Sequence, residues 1–147
     1  MFKILLALHL LFAVFAVGPL VHAATTAARG VRTGDGAATA SSSRVLRVYS
    51  SASVLVVLIG FGLMSVKRHG KTIAEFGDTW IWLSALLWLV AMGIVTGALV
   101  PALDKVTEKI GKQESVVTLT GRVAALGGVV AVIFAGIIFL MVYRPGG

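Results

Sequence analysis

The chain has 147 residues, of which 58% are apolar and 13% charged, with a formal net charge of +7 and no cysteine. The missing cysteines exclude disulfides, iron–sulfur clusters and thiol chemistry. In a soluble protein the positive charge would suggest a nucleic-acid partner. Because the charges flank apolar segments, they indicate contact with anionic phospholipids instead, and we expect no nucleic-acid binding.

Four apolar segments contain no Asp, Glu, Lys or Arg, and each is close to the ~20 residues needed to cross ~30 Å of hydrocarbon. They cover residues 4–23, 48–66, 80–100 and 123–142. Little length remains for a separate soluble domain. The sequence therefore predicts that residues 1–147 form one all-α, polytopic bundle of four transmembrane helices in the cell membrane.

The first segment also resembles a cleavable signal peptide, since it follows Lys3 and ends in small residues around Ala23. We expect it to be retained as a span, which places both termini on the same side of the membrane. The first and third connections carry eight Lys and Arg, and the other side carries five. The positive-inside rule then predicts extracytoplasmic termini, although Lys3 beside a signal-like segment favours the reverse.

Two connecting segments differ in character. Residues 24–43 are rich in Ala, Gly, Thr and Ser without an apolar period, which predicts a mobile linker. In residues 101–112, Leu103, Val106 and Ile110 recur at helical spacing among charged residues, which predicts a short amphipathic helix on the membrane interface. A continuation of the third span, kinked at Pro101, is the alternative.

Small residues at four-residue spacing are the candidates for close helix packing in lipid. Gly93 and Gly97 form a GxxxG motif in the third span, and Gly127, Ala131 and Ala135 share one face of the fourth. We expect both sets to pack inside the bundle. Docking of these faces onto a foreign helix is the alternative.

His9 is an ionisable side chain well inside a span, and His22 lies near the end of that span. Thirteen residues of helix separate the two by ~20 Å and about 220°, so they cannot share a ligand. We expect His9 to form a hydrogen bond between helices, with a haem or metal ligand as the alternative. Gly18-Pro19 predicts a kink in the same helix.

Aromatic and basic residues mark the predicted membrane boundaries. The expected interface anchors are Trp80, Trp82 and Tyr143 on the terminal side and Tyr49 on the opposite side. The expected contacts to lipid headgroups are Arg44, Arg47, Lys105, Lys109 and Lys112.

The chain lacks the patterns that carry catalysis. It has no carboxylate pair within a span, no Ser/His/Asp set, no HExxH motif and no phosphate-cradling glycine loop. We therefore predict no catalytic residue and no cofactor, and a protein that is not an enzyme. A small transporter or channel is a further alternative, although no titratable carboxylate lies at mid-membrane.

Four short motifs carry a resemblance over most of the chain: Leu8-His9-Leu10, Gly18-Pro19, residues 44–49 (RVLRVY) and Gly60-Phe61-Gly62. They resemble a family of small four-helix membrane proteins of actinobacteria. Such proteins are similar to the accessory subunits of the mycobacterial cytochrome bc–cytochrome c oxidase supercomplex. The resemblance implies a non-catalytic subunit of a respiratory complex that packs against other integral membrane subunits.

A second likeness bears on His9. Its position before the Gly of the first helix resembles copper-related membrane proteins, which keeps a His9-based haem or metal site as an alternative function.

Overall fold

The computed structural model describes residues 2–68, 71–72 and 77–145, and within them four long helices. We number these α1 (Phe2–Thr33), α2 (Gly36–Met64), α3 (Thr79–Gly111) and α4 (Val117–Tyr143). Between α2 and α3, β1 (Lys67–Arg68) pairs antiparallel with β2 (Lys71–Thr72). Each helix is long and apolar enough to cross a membrane, so the predicted all-α polytopic bundle is confirmed.

Both α1 and α3 change their winding shortly before a proline. In α1, a π-helical segment (Ala13–Val17) joins α-helical Phe2–Phe12 to Gly18–Thr33. In α3, a π-helical segment (Val95–Leu99) joins α-helical Thr79–Ile94 to Val100–Gly111. Pro19 and Pro101 are each the second residue after the π segment, and neither has an N–H to continue the ordinary ladder. The wider π turn accommodates that interruption, as in other helices that meet a proline.

The helices form an up-down-up-down ring, in which each packs against its sequence neighbours and α1 closes the ring against α4. A two-residue connection joins α1 to α2. Gly34 caps α1 in the left-handed conformation at φ 66°, and the Asp35 carboxylate accepts the Ala38 N–H at 3.1 Å at the start of α2. We call the end of the bundle that holds this connection and residues 112–116 the turn end.

The prediction of a mobile linker at residues 24–43 is wrong. The first ten of these residues continue α1 and those from Gly36 onward begin α2. Their small side chains serve close packing between helices rather than chain flexibility. The buried residues of this segment include Ala24, Ala27, Ala28, Thr39 and Ser43.

The prediction of an interfacial helix at residues 101–112 is also wrong, and the continuation of the third span is confirmed. Val100, Leu103 and Val106 are buried in the bundle core, and this part of α3 packs against α2. The amphipathic pattern thus points its apolar side at other helices. The 33 residues of α3 measure ~50 Å, so α3 is longer than the ~30 Å of hydrocarbon that one crossing needs.

Candidate functional site

The inner face of α2 is lined by hydroxyl groups. Buried residues follow one another at alternating four- and three-residue steps, the spacing of a helix seam that faces a partner helix. They are Thr39, Ser43, Leu46, Ser50 and Ser53. We call the four hydroxyl residues of this set the hydroxyl seam. Most of the buried polar side chains among the described residues therefore lie on one side of α2.

At the turn end, the hydroxyl seam meets a carboxylate of α3. The Ser43 hydroxyl donates to Asp104 Oδ1 at 2.6 Å, and the Arg47 guanidinium pairs with Asp104 Oδ2. One turn away, the hydroxyls of Thr39 and Thr107 lie 2.8 Å apart and share a hydrogen bond. These contacts join α2 to α3 outside the apolar core.

A groove of about 360 Å³ opens beside this polar junction, and we call it the α2/α3 groove. Six of the residues that line it are Ser43, Arg44, Arg47, Val48, Asp104 and Thr107. It lies at the level where the predicted spans begin at residue 48 and end at residue 100, which is the predicted membrane surface. Arg44 and Arg47, two of the predicted lipid contacts, are therefore brought together in one place.

In the middle of the bundle, the hydroxyl seam is bound to α3 by one indole. Trp88 Nε1 donates to Ser53 Oγ at 3.1 Å, and Ser53 Oγ donates to the Ser50 carbonyl at 2.7 Å. The sulfur of Met92 lies 3.4 Å from the same hydroxyl. The buried hydroxyl is thus paired both as donor and as acceptor.

His9 connects α1 to α2, and the predicted hydrogen bond between helices is confirmed. Its Nδ1 lies 3.0 Å from the carbonyl oxygen of Val56, so that nitrogen carries the proton. Gly60 lies under the ring, where a Cβ would stand 3.1 Å from Cε1 of His9. Gly60 therefore provides the space that the imidazole occupies.

The remaining nitrogen of His9, Nε2, is the ligand-forming atom of a neutral imidazole whose Nδ1–H is held by a carbonyl. The described residues do not form a complete metal site around this nitrogen, because they contain no group of three His, Cys, Asp or Glu side chains that could hold a metal ion. His22 is exposed on another part of α1. His69 lies outside the described residues.

Of the small-residue stripe on α4, Gly127 alone makes the predicted close contact. A Cβ at Gly127 would overlap the carbonyl oxygen of Ala24, so α1 and α4 cross here with their backbones in contact. Ala131 is half-buried and Ala135 is exposed. The predicted packing stripe is wrong at Ala135, because the buried face of α4 combines four- and three-residue steps and so leaves a strict four-residue repeat. That face is formed by Val123, Gly127, Val130, Phe134, Ile137 and Leu140.

The GxxxG motif of α3 faces away from the bundle, so its predicted packing inside is wrong. Gly93 and Gly97 are exposed, and no atom lies within 4 Å of a Cβ built on either. The packing face of α3 is formed by Ala91, Val95 and Leu99, which are 0% exposed. The glycines lie two residues further on, which is about 200° around the helix.

The predicted interface anchors lie at the expected ends of the bundle. Arg144 stacks over the Trp80 ring at 5.5 Å, and Tyr143 stacks on Phe139 with ring centroids 4.3 Å apart. Trp82 is exposed on the same end, whereas Tyr49 packs half-buried against the core on the other side. Their anchoring role in a membrane stays a prediction.

The three lysines predicted to contact lipid lie on or beside the last turns of α3. Lys105 is exposed and Lys109 half-buried. Lys112 Nζ pairs with the Glu108 carboxylate at 2.9 Å. The Glu108 carboxylate therefore competes with a lipid headgroup for Lys112. Arg44, in contrast, forms no ion pair with any described residue.

Sequence reasoning missed Asp104, Ser53 and Trp88 as contact residues. The four- and three-residue spacing of the four hydroxyl residues together with Leu46 could have identified the inner face of α2. The partners on α3 had no such signal, because a single Asp or Trp gives no periodicity.

Comparisons with protein families, curated proteins and solved structures find no match to this chain.

Proposed function

We propose that this protein is a non-catalytic accessory subunit of a larger membrane complex, in which it contributes helix packing and contacts to anionic lipid. A respiratory oxidase supercomplex is the first candidate for that complex. This identity is supported by the sequence resemblance alone, in the motifs around His9, Pro19, Tyr49 and Gly60.

The exposed Gly93 and Gly97 carry the proposal. Within the bundle, small residues such as Gly127 and Ala24 lie where helix backbones touch. Gly93 and Gly97 have the same four-residue spacing but lie on the outer surface, near the middle of a predicted span. In lipid, close approach of a second helix to such a surface is a main source of association energy.

Leu86, Leu89 and Val90 lie one to two helical turns before Gly93, on the same side of α3, and are also exposed. Larger apolar side chains beside a shallow glycine surface give a ridge and a groove, which is the shape that a packed helix requires. The outer face of α3 thus has the form of a helix-docking surface for another integral membrane subunit.

The proposal is tested by extracting the tagged full-length protein from its native membrane in a gentle detergent. We expect stoichiometric partner subunits, and haem absorption bands that belong to those partners. A lone, colourless protein would contradict the accessory role and would favour the transporter alternative, which liposome flux above empty controls would then test.

A matched pair of variants locates the docking face. Gly93→Leu with Gly97→Leu is expected to reduce partner retention about tenfold or more, because added side chains block close helix approach. Gly128→Leu is the control, since Gly128 is an exposed glycine of α4 with no atom within 4 Å of its Cβ position. Equal retention for both variants would contradict docking through α3.

A His9-based haem or metal site is the second candidate, favoured by the hydrogen bond from Nδ1 to the Val56 carbonyl. Because His9 is a single ligand, the other ligands would have to come from a partner subunit. Metal analysis and a visible spectrum of the wild type and of His9→Ala test it. A signal that is unchanged in His9→Ala would rule out ligation by this residue.

A further inference from the structure

We propose that the α2/α3 groove is a binding site for the phosphate group of one anionic phospholipid. The inference deepens the lipid-contact part of the proposed function and rests on it. It replaces a diffuse attraction between basic residues and the membrane with a defined site that has its own geometry.

The donors that would hold a phosphate converge on this groove. Arg44 and Arg47 are three residues apart on α2, so their side chains leave the same face of the helix. Thr107, from α3, lines the opposite wall, where its hydroxyl is already hydrogen-bonded to Thr39 and to the Leu103 carbonyl. The donors left for a phosphate are the two guanidinium groups, which bind phosphate oxygens with strong, charge-assisted hydrogen bonds.

Asp104 positions one of these donors. Its carboxylate accepts one hydrogen bond from an NH2 group of the Arg47 guanidinium and one from the hydroxyl of buried Ser43. A guanidinium has five N–H donors, so one carboxylate contact leaves others for a second acceptor. Fixing Arg47 in this way lowers the conformational entropy that phosphate binding would cost.

The charge of the groove matches one phosphodiester. Asp104 neutralises Arg47, whereas Arg44 forms no ion pair with any described residue. One uncompensated positive charge therefore remains, and a phosphodiester such as that of phosphatidylglycerol carries one negative charge. Lys112, whose charge is already paired with Glu108, offers no comparable site.

The position of the groove selects a lipid over a soluble phosphate. Val48 is the groove residue that begins the second predicted span, and it is 56% exposed. A lipid whose phosphate sits between the arginines would lay its acyl chains along Val48 and the exposed apolar residues that follow it on α2. Basic pockets between transmembrane helices bind anionic headgroups in this manner.

The test is a titration of the purified full-length protein, in mild detergent, with phosphatidylglycerol, counting bound lipid by native mass spectrometry. We expect one lipid to bind more tightly than the rest. Arg44→Gln with Arg47→Gln should weaken that binding about tenfold or more. The control is Arg29→Gln with Arg122→Gln, which removes the same charge from exposed residues outside the groove and should have little effect.

Arg44→Gln alone separates a binding defect from misfolding, because this variant keeps the ion pair between Arg47 and Asp104. We expect about a fivefold loss from this variant. A loss that is equal in the groove pair and the control pair would overturn the site while leaving general lipid attraction intact. No loss in either pair would overturn both the site and the lipid-contact part of the proposed function.

Two further arms identify the ligand. Phosphatidylcholine that binds as tightly as phosphatidylglycerol would overturn the requirement for a net negative charge. Soluble glycerol phosphate that displaces the lipid at equal concentration would overturn the lipid as the source of the phosphate. Retention of partner subunits is measured on the same variants, so failure of the accessory role is recorded separately.

Discussion

The two halves of α1 contrast sharply in composition and in packing. Phe2–Phe12 is almost entirely large and apolar, yet it has no buried residue. Gly18–Thr33 is rich in Ala, Gly and Thr, yet seven of its residues are buried, which makes it the better packed half of the helix. The first half packs mainly against α2, whereas the second packs against both α2 and α4.

The contrast follows from the solvent. In water, large apolar side chains would be buried and small polar ones exposed. In a bilayer, large apolar side chains gain nothing from leaving lipid, and close backbone contact between helices becomes the main attraction. In α1, small residues therefore mark the half that packs inside the bundle, and apolar bulk marks the half with no buried residue.

The largest effect is expected where backbone touches backbone. Gly127→Leu would place a side chain on the carbonyl oxygen of Ala24 and force α1 away from α4. We expect a loss of about 3 kcal/mol or more in the free energy of unfolding, measured by SDS titration in mixed micelles. The adjacent Gly128→Leu, which meets no atom, should stay within about 0.5 kcal/mol of wild type. Equal losses would show that the crossing is not specific.

A pair of opposite substitutions in α1 tests the contrast directly. Ala27→Leu inserts bulk into the packed half and should cost about 1–3 kcal/mol in the same unfolding assay. Leu10→Ala removes bulk from the exposed half, where Leu10 is 56% exposed, and should change the free energy by less than about 0.5 kcal/mol. If Leu10→Ala is the more damaging change, the two halves have been assigned to the wrong environments.

The same contrast explains what could be predicted from the sequence. The spans, the fold class and the break near Gly18-Pro19 follow from apolar length and proline chemistry, and the structure agrees with them. Residues 24–43 were misread because a run of Ala, Gly, Thr and Ser has the same composition in a flexible linker and in a tight membrane crossing. Only the position of Gly127 opposite Ala24 distinguishes the two.

For the candidate site, the sequence identified the individual basic residues but not their assembly. Arg44 and Arg47 were recognisable from their place beside a span. The pair between Arg47 and Asp104 depends on α3 continuing past Pro101 as a helix, which brings Asp104 beside Ser43. Pro101 marks the place of the π-helical segment at Val95–Leu99 in the sequence, but it does not show which side of α3 Asp104 faces.

The inner face of α2 offers a smaller test. Ser53→Ala removes the acceptor of the Trp88 indole N–H from the buried seam, and we expect a cost of about 1 kcal/mol in unfolding free energy, with a shift in Trp fluorescence. Ser51→Ala is the matched control, because the Ser51 hydroxyl is exposed and bonds only to the carbonyl of its own helix. An unchanged fluorescence spectrum would contradict the contact between Ser53 and Trp88.

The smallest effect is expected at His9, the side chain that bonds the exposed half of α1 to the bundle. His9→Phe keeps the ring and removes the bond to the Val56 carbonyl, at a cost of about 0.6 kcal/mol, the average for such bonds in a membrane. Gly60→Ala should cost a similar amount, since its Cβ would press on the His9 ring at 3.1 Å. The Gly60→Ala cost depends on the ring, so it should persist beside His9→Phe and disappear beside His9→Ala. If Gly60→Ala costs as much in His9→Ala as in the wild type, Gly60 supports some contact other than the His9 ring.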